Sequence, residues 1–178
     1  MFGLTAIGMV HMAISVVAVL SGVVCLVRAG AIDGVTIVGK VYFWTTLLTC
    51  LTAFGIFAHG GFGKGHALAV LTLVELAVAT GAERYCAFGK VLSRYIATVS
   101  YSATLFSHLI PGVTEATTRL PLGAPLFSGA NDPELQKLTQ LMLVMFLLGA
   151  AVQVRMLFSQ RVLSTRLDSK PFVGSTSA

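Results

Sequence analysis

Arg94-Tyr95-Ile96-Ala97-Thr98-Val99-Ser100-Tyr101-Ser102-Ala103-Thr104-Leu105-Phe106-Ser107-His108-Leu109-Ile110-Pro111-Gly112 is the stretch that decides how this chain folds. Arg94, Thr98, Tyr101, Thr104 and His108 follow one another at +4, +3, +3 and +4, so on a helix they share one face. The residues between them are largely apolar. A polar stripe on an apolar helix has to face other helices or a wet cavity, because lipid supplies no hydrogen-bond partners. Pro111-Gly112 predicts the end of this helix. Beyond it, Val113 to Ala130 reads as a long loop that brings in Glu115 and Arg119. Its apolar residues, among them Leu120, Leu122 and Phe127, predict a lid lying on the bundle.

Composition places the stripe in a membrane. Of 178 residues, 56% are hydrophobic and 11% charged, which is the balance of an integral membrane protein. The length accommodates five spans of about 20 residues with short loops, in one domain. The expected spans are 4–27, 41–58, 66–82, 92–110 and 138–158, with an outer loop over 111–131 and a basic, disordered cytoplasmic tail over 161–178. The fold class is therefore an all-α bundle of five transmembrane helices. A net charge of +5 would point a soluble protein towards nucleic acid. Here the cations sit at span ends, where they signal topology, and no nucleic-acid partner is expected. Cys25, Cys50 and Cys86 lie in or beside apolar runs without a CxxC spacing, and read as reduced, buried small residues.

The first span carries Gly8, His11, Ser15, Ala18, Gly22 and Cys25 at helical spacing. Small residues in such a row let another backbone approach, so this is a packing face and His11 points into the bundle. The second span places Thr45, Thr49 and Thr52 on one face, with His59 beyond. Threonines in membrane helices mostly bond back to the carbonyl four residues earlier. His59 to His66 is a glycine-rich turn; it lacks the preceding strand and the Gly-Lys-Ser/Thr of a phosphate loop. Glu75, nine residues past His66, lies roughly 13 Å deeper at 1.5 Å per residue, near the bilayer middle. An intramembrane carboxyl is costly, and the bland reading is a protonated Glu bonded to a neighbouring helix. Nine residues also set His66 and Glu75 about half a turn apart. Glu75 is expected inward and His66 at the interface. Asp132-Pro133-Glu134 reads as cap, first helical position and first turn of the last helix.

Five spans divide the cations unevenly. Arg28, Lys40, Arg84, Lys90, Arg94, Arg155, Arg161, Arg166 and Lys170 fall on one side; Lys64, Arg119 and Lys137 fall on the other. The positive-inside rule then puts the N-terminus outside and the C-terminus in the cytoplasm of a bacterial inner membrane. All four histidines gather on the outer side. His11, His59 and His108 are the expected ligands of a single haem b, and His11, His59, His66 and His108 are the set for a divalent metal as its alternative. Arg94, Tyr101 and Glu75 are the intramembrane polar residues around it, and Glu115 with Arg119 supplies the outer loop. No histidine lies on the cytoplasmic half, which excludes a two-haem electron wire among the readings.

Gly39-Lys40-Val41-Tyr42, followed by Thr45-Thr46-Leu47-Leu48-Thr49-Cys50, resembles the second helix of a broad family of bacterial multi-pass inner-membrane proteins. Span one, with a histidine near its start and a glycine near its end, is also similar. That family carries His-Arg-x-x-Gly-Arg-x-Tyr at this point; Val35-Thr36 stands here in place of the His-Arg pair. The resemblance covers about the first third of the chain. It implies the helical bundle and no particular reaction. Two roles follow from the residues: a redox-related protein with one haem or metal centre, or a non-catalytic membrane subunit or assembly factor packing against partner helices or its own copies.

Overall fold

A computed structural model describes residues 6–56, 61–85, 89–119 and 123–168, with side chains to residue 164. These form five helices: α1 (Ala6–Ala29), α2 (Ile37–Ala53), α3 (Lys64–Tyr85), α4 (Lys90–Arg119) and α5 (Pro133–Asp168). No strand occurs among the described residues. Three helices, α1, α3 and α5, are long and apolar enough to cross a membrane, and α2 is a shorter apolar helix. This is the composition of a membrane protein.

Side-chain contacts fix the direction of each helix. His11 bonds Thr52, and Gly22 meets the ring of Tyr42, so α1 and α2 are antiparallel. Glu75 bonds Ser107 and Glu83 bonds Tyr101, which makes α3 antiparallel to α4. Ser102 bonds Gln153 while Phe106 stacks on Phe146, and α5 runs back along α4. The molecule is inside-out relative to a soluble bundle. Val16, Leu20, Val23 and Val27 of α1 are exposed, as are Leu141, Met145, Leu148 and Val152 of α5. Serine, threonine and histidine fill much of the interior. Hydroxyls there satisfy themselves locally: Thr45, Thr49, Thr72 and Thr80 each donate to the carbonyl four residues earlier.

Four helix boundaries bear on the sequence expectation, three departing from it and one agreeing with it. First, α2 starts at Ile37, because Thr36 caps it: the Thr36 hydroxyl accepts from Gly39 N–H at 3.0 Å and donates to the Asp33 carbonyl at 2.9 Å. Second, α4 does not stop at Pro111. It continues to Arg119, with Thr114, Thr117 and Thr118 bonding back along the helix and Glu115 ion-paired to Arg119 one turn on. Proline removes one N–H, and the helix propagates past it when the following residues hold the next turns. Residues 111–119 of the expected loop are therefore helix, and Leu120 and Leu122 of the expected lid lie outside the described residues. Residues 123–132 form a turn, with Leu126 exposed and Phe127 N–H donating to the Thr117 carbonyl. Third, and as the sequence leads one to expect, α5 begins at Pro133 under an Asp132 cap. Asp132 accepts from Glu134 N–H, Ser128 N–H and the Ser128 hydroxyl, which holds its carboxyl below the usual range. Fourth, α5 runs to Asp168, so the first part of the expected disordered tail is helix. At 36 residues it is about 54 Å long, well beyond a hydrocarbon core of about 30 Å.

Gly39 is the tightest backbone approach. A Cβ there would fall on the Asp33 carbonyl and the Thr36 hydroxyl, whereas one at Gly112 would meet nothing. Gly39→Ala is expected to cost about 1–3 kcal/mol through overpacking. Gly112→Ala is expected to be neutral or to gain up to about 1 kcal/mol from helix propensity. Thermal unfolding of the two variants in mild detergent measures the contrast, and equal Tm values would contradict it.

Candidate functional site

Polar side chains inside the bundle form two groups, one towards each end. The junction between them is Tyr42. Its ring packs against Gly22 of α1, where a Cβ would meet ring atom Cε2 at 2.8 Å, and its hydroxyl lies 2.6 Å from that of Thr104 on α4. Tyr42 is wholly buried. The Thr104 hydroxyl also donates to the Tyr101 carbonyl at 2.7 Å, so three helices meet at this point.

Towards the end that carries the 30–36 loop, the Tyr101 hydroxyl donates to Glu83 Oε2 at 2.9 Å and Gly34 N–H donates to Glu83 Oε1 at 3.0 Å. Gly34 has to be glycine, since a Cβ would lie 2.5 Å from both the Glu83 carboxyl and the Tyr101 hydroxyl. Gln153 ties α5 in: its amide donates to the Gly30 carbonyl at 2.8 Å and its carbonyl accepts from Ser102 at 2.9 Å. Arg94 stands exposed at this end and donates to Gln160. It is therefore not on the inward stripe, although Thr98, Tyr101, Thr104 and His108 of that stripe are all buried.

The other end holds the histidines. His108 Nδ1 lies 3.1 Å from the Thr104 carbonyl. A carbonyl can only accept, so Nδ1 carries the proton. His108 Nε2 is buried and has no hydrogen-bond partner among the described residues. His11 Nδ1 lies 2.9 Å from the Thr52 hydroxyl, whose own hydrogen is directed to the carbonyls of Leu48 and Thr49. Thr52 therefore accepts from His11, and there too Nδ1 is the donor. Both imidazoles are set in the tautomer that leaves Nε2 as a lone pair, which is the form that ligates a metal. His11 is within electrostatic range of His108 and of Glu115.

His66 is different. It is buried, not interfacial, with Phe62 stacked on it at 4.8 Å between ring centroids and Phe54 close by. Its Nδ1 accepts from Gly63 N–H, so its proton is on Nε2, opposite to His11 and His108. The inward row of α3 is His66, Ala69, Thr72, Leu76, Ala79 and Ala82, and Glu75 lies on its flank. Half a turn does separate them, but the row that packs best is the small-residue one, and it takes His66. Glu75 is half-buried and accepts from the Ser107 hydroxyl at 3.0 Å. His59 and Cys86 lie outside the described residues. Glu115 and Arg119 pair with each other on the last turns of α4 and are exposed.

Among the described residues no group of three or more His, Cys, Asp or Glu side chains is placed to hold a metal ion. The structure thus brings His11 and His108 to one region and leaves His66 in its aromatic setting. Sequence reasoning missed Glu83 and Gln153. A polar residue inside an apolar run was the available signal for Gln153; for Glu83 it was the shared helical row with Leu76 and Ala79. Compared with known proteins, the chain matches no family model, no curated protein and no solved structure.

Tyr101→Phe removes the hydroxyl donor from Glu83 in a buried setting and is expected to cost about 1–3 kcal/mol. Glu75→Gln keeps an acceptor for Ser107 and is expected to stay within about 0.5 kcal/mol of the parent. Detergent unfolding curves of both variants check the order; a greater loss from Glu75→Gln would reverse the assignment of the two carboxyls.

Proposed function

We propose that the chain is an integral protein of the bacterial inner membrane that crosses the bilayer five times, with a redox-related role based on a single haem or metal centre near its outer surface. The observation that carries this reading is the pair of inward imidazoles, each held at Nδ1, with Nε2 of His108 buried and without a partner among the described residues. Ligating histidines are held in this way, with the second nitrogen bonded to a carbonyl or hydroxyl that sets tautomer and ring angle. As a purely structural core group, a buried His108 would leave Nε2 unsatisfied at a cost.

The five-span topology draws support from the alternating helix directions. They place Arg28, Lys40, Arg84, Lys90, Arg94, Arg155 and Arg161 at one end of the bundle and Lys64, Arg119 and Lys137 at the other. The positive-inside rule orients the first end to the cytoplasm, and the N-terminus and histidines outward. The polar face of α4 is covered by its neighbours, so this less apolar helix also fits inside the bilayer. A second reading, a non-catalytic subunit or assembly factor, is favoured by α5, whose apolar surface is almost entirely uncovered. Lipid, another membrane protein or a second copy of the chain would meet that surface.

Two measurements test the proposal. A reporter active only outside the cytoplasm, inserted at Gly123–Ala124, is expected to be active, and the same reporter after Lys170 silent. The reverse pattern overturns the orientation. Protein purified in mild detergent is expected to carry stoichiometric haem by its Soret band, or stoichiometric metal by elemental analysis. If it carries neither, the redox reading fails and the structural-subunit reading replaces it.

A further inference from the structure

Away from the histidines, a cleft opens where the end of α1 meets α4 and α5. Its volume is about 70 Å³, room for several waters, and its wall includes Gly30, Arg94, Thr98, Gln153, Met156 and Gln160. Pro133 starts α5 at the opposite end of the bundle; Gln153 stands about 30 Å further along that helix and Gln160 about 40 Å, at 1.5 Å per residue. A hydrocarbon core is about 30 Å thick, and a bilayer with its headgroups about 40–45 Å. The floor of the cleft therefore reaches the hydrocarbon edge, and its mouth the headgroup layer. Arg94 brings charge to that mouth. Its guanidinium donates to the Gln160 carbonyl oxygen at 3.2 Å, and among the described residues it is paired with no carboxylate. Most of its N–H donors, and the NH2 of Gln160, are left for another acceptor. Thr98 is buried, yet its hydroxyl does not bond back along the helix as those of Thr45, Thr49, Thr72 and Thr80 do. The Gly30 carbonyl, which would repel an anion, is already taken by Gln153.

We propose that this cleft binds the phosphate of an acidic phospholipid, with the Arg94 guanidinium as its charged contact and Thr98 and Gln160 as neutral donors. A guanidinium offers paired N–H groups at the spacing of two phosphate oxygens, which a lysine ammonium does not. Basic pockets between membrane helices suit acidic headgroups, because the attraction acts at the depth where those phosphates lie. A lipid source is favoured over free phosphate by the wall of the cleft. Met156 is exposed there, and Val152, one turn deeper on α5, is exposed as well, so an apolar track for an acyl chain leads from the mouth towards the hydrocarbon. The inference rests on the membrane bundle proposed above and is independent of the cofactor reading, since it uses none of the histidines.

The experiment titrates the full-length protein in mild detergent with phosphatidylglycerol, and separately with phosphatidylcholine, and counts bound lipid by native mass spectrometry. The proteins are the parent, Arg94→Gln, Arg94→Lys, Thr98→Val and, as a cation at the same end but outside the cleft, Lys40→Gln; elution profile and Tm check folding. The parent is expected to hold one phosphatidylglycerol per chain in preference to phosphatidylcholine. Arg94→Gln is expected to weaken that binding at least about fivefold, with Arg94→Lys and Thr98→Val in between and Lys40→Gln within about twofold of the parent. Inorganic phosphate at millimolar concentration is expected to displace little of the lipid. Equal affinity for the two lipids overturns the inference, as does an equal loss in Arg94→Gln and Lys40→Gln, which would mark diffuse attraction to the whole basic end. Full displacement by inorganic phosphate overturns the lipid source and makes the cleft a site for a free anion. The reporter fusions above test the bundle separately, so a failure of the topology and a failure of the lipid site give different results.

Discussion

The hydroxyl–hydroxyl bond between Tyr42 and Thr104 is the contact on which the interior depends. It joins α2 to α4, and it exists because Gly22 leaves the ring room to lie against α1. Neither hydroxyl could turn to water or to lipid, so each must find the other. Thr104 then does a second task through its carbonyl, holding His108 Nδ1. One residue thereby couples the packing of three helices to the orientation of the His108 imidazole. Loss of the Tyr42 contact would loosen the helix junction and the histidine together.

The same constraint shapes both ends of the bundle in different ways. At the end bearing the 30–36 loop, Glu83 is fully engaged: a phenol and a backbone N–H donate to its two oxygens, and Gly34 is pressed too close to tolerate a side chain. Gln153 closes the gap to α5 with both halves of its amide. That end is a set of matched donors and acceptors, which is what a structural junction requires. At the histidine end the matching is incomplete: among the described residues His108 Nε2 is a buried atom without a hydrogen-bond partner. Among the described residues Thr46 Oγ1 is likewise buried without a partner, and the His108 lone pair is the one on which the proposed function rests.

Much of this was legible in the residues. The +3/+4 spacing of Thr98, Tyr101, Thr104 and His108 identified the inward face of α4, because helical geometry leaves no other way to hide four polar side chains. The row Gly8, Ala18, Gly22 and Cys25 likewise identified the buried side of α1. Asp132-Pro133-Glu134 marked the start of α5 through local capping chemistry. Pro111 misled, since its rule concerns one missing N–H and says nothing of the threonines and the Glu115–Arg119 pair that carry the helix onward. His66 misled for a related reason: its burial was decided by Phe54 and Phe62, which come from the turn before it and from the neighbouring helix.

By itself, then, the sequence determined what any backbone in a low-dielectric solvent must do: which segments are helical and apolar, which faces turn inward, and where the cations lie. Those properties depend on spacing along one helix and on the cost of an unpaired polar group. The tertiary structure alone decided which polar groups found one another. Glu83 with Tyr101 and Gly34, Gln153 with Gly30 and Ser102, and the tautomers of His11, His66 and His108 are each set by atoms far away in sequence or by the one carbonyl within reach. A ring nitrogen is donor or acceptor according to the atom facing it, and that atom is chosen by packing.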